Sequence, residues 1–121
     1  MAHSKEIRIE LGQLVEMAHD RELGLYLSHL ERHFAEWREG QIGPCELSDF
    51  VHEFHDGWAR AVYKTYSILK REQLVARALG IGLVREDEVS EELREMLSDS
   101  ITFFKEHYAI DEGDPLAKLR T

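Results

Sequence analysis

The chain has 121 residues, enough for one domain with a modest core. Hydrophobic residues make up 43% and charged residues 32%, which excludes a disordered chain. The formal charge of −9 opposes phosphate backbones, the single Cys45 excludes an intramolecular disulfide, and no apolar run approaches the ~18 residues of a membrane span.

The start "MAHSKEIRIE" has no apolar signal core, and one cysteine suits a reducing compartment, so a cytoplasmic protein is expected. No nucleic-acid and no membrane partner is expected. The best basic patch, Lys64, Lys70, Arg71 and Arg77, is interrupted by Glu72 and reads as a solvated helix face. Cys45 reads as a small, semi-buried residue in a first helical turn.

Apolar spacing is helical along nearly the whole chain. A first helix is predicted over about residues 5–39. Its stripe Leu23, Leu27, Leu30, Phe34 and Trp37 keeps the three-four spacing of one helix face. Upstream, Leu11, Leu14, Val15 and Ala18 are out of phase with it, so a candidate break lies near 19–21, with Asp20 as a new N-cap and Glu22 in the first turn. "GQIGPCEL" is the clearest boundary: Gly40 suits a left-handed helix end, and Pro44 the first position of the next helix.

The second helix is predicted over 44–79, with Leu47, Phe50, Val51, Phe54, Trp58, Ala61, Val62, Ile68, Leu69, Val75 and Leu79 on its apolar side. Gly57 is an interior cost of about 1 kcal/mol, which suggests a close contact or a slight bend there. "GIG" at 80–82 reads as a stop, and Ser90 as the cap of a third helix over 90–108. The tail from 111 to 121 is expected to fray. The fold class is therefore all-α, a single helical domain over 1–121. At its centre stands an antiparallel hairpin of two long helices, broken or continuous, with a shorter third helix completing a bundle.

A 35-residue helix is about 52 Å long, against a diameter near ~35 Å for a compact chain of this size. An isolated hairpin would expose a strip along Leu11, Leu14, Leu69 and Val75, which a twofold homodimer would cover. Trp37 and Trp58 both lie on apolar faces and are expected to be mostly buried.

Four histidines carry the candidate chemistry. With a short turn at 40–43, His29 comes to the height of His55, and His33 to that of His52. Imidazoles three or four residues apart on a helix can reach one ion, so His29, His33, His52 and His55 form a candidate metal set for zinc or iron. Asp49, Glu53 and Asp56 would orient the rings. The plainer reading makes the histidines boundary residues that cover apolar rings and bond to acids or water. Known motifs do not match. "HLERH" lacks the glutamate placement of HExxH, and only one ExxH, from Glu16 to His19, is present for a di-iron bundle. A metal-free version would use His55 as a base held by Asp56 or Glu53, but no nucleophile accompanies it. The leading expectation is a small helical protein, not an enzyme, that works by association as a homodimer or as an adaptor for a protein partner. The alternative is a metal-binding bundle acting as an oxidoreductase or metal sensor.

Overall fold

The structure, a computed structural model, describes residues 3–120. It is all-α, with no strand among the described residues. Helix α1 runs Lys5–Arg38, and Ser4 caps it by accepting from the Ile7 N–H at 3.2 Å. At 34 residues it is about 51 Å long, and it is unbroken at 19–21. The reason lies in its buried face, which reads Ile7, Leu11, Leu14, Ala18, Glu22 and Tyr26. That spacing stays in phase because a buried glutamate occupies the position where the sequence suggests a break. Asp20 therefore sits exposed inside the helix and caps nothing.

Glu39 and Gly40 end α1, with Gly40 at φ 79°, and α2 opens on Pro44 and runs Pro44–Phe54. The two helices are antiparallel neighbours, since His33 stacks on Phe50 at 3.6 Å and His29 meets Trp58 edge-on at 4.9 Å. These contacts fall two or three residues from the heights expected from the turn alone. A π-helical turn, His55–Ala59, follows, then α3, Arg60–Ile68.

The predicted second helix does not reach 79 intact. Leu69 and Lys70 are extended, with ψ of 146° and 158°, and α4 begins afresh as Arg71–Ile81. No proline or glycine marks this break. It turns α4 back so that Val75, Ala76, Ala78, Leu79 and Ile81 join the core with α1 and the C-terminal half. The break shortens the second segment while α1 keeps its full length, and of the strip expected to need a second copy, Leu11, Leu14 and Val75 are buried in one subunit's core and Leu69 is half-buried.

Gly82, at φ 92°, caps α4. A 3-10 turn, Glu86–Glu88, leads to α5, Glu91–Met96, and α6, Ser98–His107. Leu97, at φ −102° and ψ 6°, separates these two where one helix over 90–108 is predicted. Ser90 does cap α5, accepting from the Leu93 N–H at 3.2 Å, and its own N–H and hydroxyl donate to Glu10 of α1 at 2.7 and 2.6 Å. The tail does not fray over its described length. Pro115–Arg120 forms a 3-10 helix, Leu116 is buried, and the Tyr26 hydroxyl donates to Asp114 at 2.8 Å.

A second clamp joins α1 to the loop after α4. Arg21 donates to the Leu83 carbonyl at 3.0 Å and to both oxygens of Glu88 at 2.7 and 2.6 Å. Those bonds, with one from the Arg85 N–H, hold the Glu88 carboxyl down at about 2. The unfolded carboxyl titrates near 4.5, so this stabilisation is complete above that pH and is lost as pH falls toward 2. Arg21→Gln is therefore expected to move acid unfolding, followed by circular dichroism, to higher pH. Superimposable acid transitions would remove this pair from the account.

Candidate functional site

Beyond Tyr26, no residue of α1 is fully buried, and α2 has only Leu47. The hairpin end is thus two helices without a third layer. Its inner contacts leave a groove of about 300 Å³ lined by His29, Leu30, His33, Phe50, Glu53, Phe54, Gly57 and Trp58. Leu47, Phe50 and Phe54 follow three-four spacing, which turns this face of α2 toward α1. The π turn completes the groove with Gly57 and Trp58. Such turns recur at functional sites, where the helix ladder is locally relaxed. A side chain at Gly57 would meet nothing within 4 Å, so this glycine opens space and does not permit a close contact.

Two of the four predicted site residues meet here. His29 and His33 lie edge to face at 5.2 Å, both from α1. Arg32 can only donate, so its 2.7 Å bond makes His29 Nδ1 an acceptor and the ring neutral. Burial first, then the charge of Arg32, lower the His29 pKa from its ordinary value. His33 Nδ1 donates to Glu36 at 2.6 Å. His52 and His55 sit elsewhere. His52 lies two residues from both Phe50 and Phe54, which puts it on the opposite side of α2. There it is exposed and pairs with Asp56 at 2.9 Å. His55 is exposed beside Asp56, Ala59, Arg60 and Tyr63. Among the described residues, no group of three or more histidine, cysteine, aspartate or glutamate side chains is placed to hold a metal ion. His19 stacks on Tyr66 at 4.3 Å, and Cys45 is exposed.

The face of α1 beside the groove corrects a second expectation. The stripe Leu23, Leu27, Leu30, Phe34 and Trp37 is not the core face of α1. Leu27 is 47% exposed, Trp37 43% and Phe34 36%, while Trp58 is half-buried against Tyr26 and His29. The face carrying Tyr26, His29 and His33 turns inward instead, because it continues the phase set by Ala18 and Glu22.

A buried polar network lies at the base of the hairpin, and the residue pattern alone did not reveal it. Arg77, read as part of a surface patch, is 2% exposed and donates to both Glu22 oxygens at 2.7 Å. The Tyr66 hydroxyl donates to Glu22 at 2.7 Å, and Arg77 donates to the Tyr108 hydroxyl at 3.1 and 3.0 Å. Burial opposes the charge on Arg77, and the bonds and field of Glu22 outweigh it, so the guanidinium stays protonated. Burial and the nearby Glu22 raise the Tyr66 pKa, keeping its hydroxyl a donor. The one available signal was Glu22 itself, a charged residue on the apolar phase of α1. The network joins α1, α3, α4 and the segment after α6, and every buried side-chain polar atom among the described residues is satisfied.

No helix of the described residues is long and apolar enough to cross a membrane. No protein family, curated protein or solved structure matches this chain.

Proposed function

We propose that the protein acts by association, its hairpin end supplying two helices of an intermolecular bundle. The observation that carries this reading is the stripe Leu27, Leu30, Phe34 and Trp37, exposed or half-buried beside an apolar groove and outside the core. Alternating steps of four and three are the seam along which one helix packs against another. Two helices cannot cover both of their apolar faces, whereas a third or fourth helix laid in the groove would cover both stripe and floor. The twofold pairing expected from length loses Leu11, Leu14 and Val75 of its strip to the chain's own core, with Leu69 half-buried. The docking surface is the hairpin end, and the role is that of an adaptor.

If the stripe is held for a partner, it contributes little to the chain's own fold. Phe34→Ser and Trp37→Ser should each shift stability by no more than about 0.5 kcal/mol in urea unfolding. A labelled helical peptide with leucines at three-four spacing and a glutamine-rich polar face should bind, read by fluorescence anisotropy, and Leu30→Lys should abolish that binding. Losses typical of core truncation at Phe34 and Trp37, together with no peptide binding, would show that the stripe serves the fold alone.

A further inference from the structure

We infer that the occupant of the groove is a basic amphipathic helix of another protein, an assignment that rests on the association reading and adds the partner's chemistry. The argument is charge complementarity along one wall. Glu46, Asp49, Glu53 and Asp56 are spaced three, four and three residues apart, so they share one side of α2 and the π turn. Glu53 of that row lines the groove. From Pro44 to Ala59 there is no lysine or arginine, and among the described residues no basic side chain pairs with Glu46, Asp49 or Glu53. The opposite wall is His29, Leu30 and His33 of α1, with the exposed Leu27, Phe34 and Trp37 beside it on the same helix, and the floor is Phe50, Phe54 and Trp58.

A ligand that fits these surfaces has an apolar row for the floor and stripe, and a row of lysines or arginines beside it for the carboxylates. The acidic row spans about 15 Å, or three helical turns, so the complementary segment is a helix of at least that length. A second copy fits poorly, because it would carry its own carboxylate row into the same groove, where like charges repel. A basic partner gains steering from the net charge of −9 as well.

The test uses the full chain and three synthetic helices about eighteen residues long, roughly 27 Å. They share one leucine row and differ only in its flank: lysine, glutamine or glutamate. Anisotropy at low salt should rank lysine first, at least roughly tenfold tighter than glutamate, with the gap closing as salt rises. Glu53→Lys with Asp49→Lys, both on the exposed edge, should invert the ranking. Gly57→Leu, which fills the groove from a position with free space around it, should remove binding of all three while helicity is unchanged. Equal affinity for the three helices would overturn the basic partner and leave association standing. No binding by any of them would overturn both. A light-scattering mass twice the 14.1 kDa chain, returned to one chain by Gly57→Leu, would assign the groove to a second copy and overturn the proposal.

Discussion

Arg77→Met should be the most damaging single change in this protein, costing about 3–5 kcal/mol. The guanidinium supplies two of the three hydrogen bonds that the buried Glu22 carboxylate receives. Without it, Glu22 must stay charged in a low-dielectric site with only the Tyr66 hydroxyl, or give up its charge. For a chain of this size the loss is a large part of total stability. The double variant Glu22→Met with Arg77→Met should recover most of it, since two apolar side chains of similar volume remove both desolvation costs at once. Arg77→Lys should not rescue, because an ammonium cannot reach both Glu22 oxygens and the Tyr108 hydroxyl in one plane. Urea unfolding of the four proteins in the cycle gives the coupling energy directly. A single-variant loss below about 1 kcal/mol, or a double variant as unstable as the sum of the singles, would show that the pair does not hold α1 against α4.

Gly80→Ala should be the second most damaging, and its sign runs against helix propensity. Alanine in a helix interior is favoured over glycine by about 1 kcal/mol, so an open position would gain stability. Here the added methyl would lie 2.5 Å from the Phe104 Cβ and 3.1 Å from both the Ile101 carbonyl oxygen and the Lys105 nitrogen. Two of these three neighbours are backbone atoms of α6, which yield only if the helix moves. Overpacking of this kind costs about 1–3 kcal/mol, and the α4–α6 crossing has no flexible side-chain end to absorb it. A net loss of about 2 kcal/mol is expected in thermal unfolding, with Gly57→Ala as the contrasting control that is neutral or stabilising. Equal behaviour of the two alanine variants would mean that α4 and α6 are not in close approach at Gly80. The "GIG" stop predicted from the residues therefore holds two functions. Gly82 ends the helix, and Gly80, still inside it, lets another helix come near.

Helical content, the 40–43 turn and the Ser90 cap were legible because each depends on residues within a few positions. Apolar spacing, a glycine at a left-handed position, a proline at a first helical position and a serine hydroxyl facing its own helix are local causes. The height at which His33 meets Phe50 and His29 meets Trp58 follows from the same turn only to within two or three residues. The break at Leu69–Lys70 and the step at Leu97 have no local cause; they are the bends that let α4 bury against α1 and α6 pack against α4.

Which face of α1 turns inward was also decided by tertiary packing, and with it the fate of every candidate site residue. A leucine stripe and a stripe of Tyr26, His29 and His33 run side by side, and hydrophobicity alone favours the leucines. The choice falls to Glu22, which can be buried only where Arg77, 55 residues away in another helix, can reach it. Once that pair is made, the histidine stripe must follow it inward, Leu27, Phe34 and Trp37 of the leucine stripe are left exposed, and His52 and His55 lie outside the groove. By itself the sequence determined which elements form and where they turn, because those depend on short-range backbone chemistry. The tertiary structure decided which of their faces is the site, because burying a charge is settled only by a partner that the chain brings from a distance.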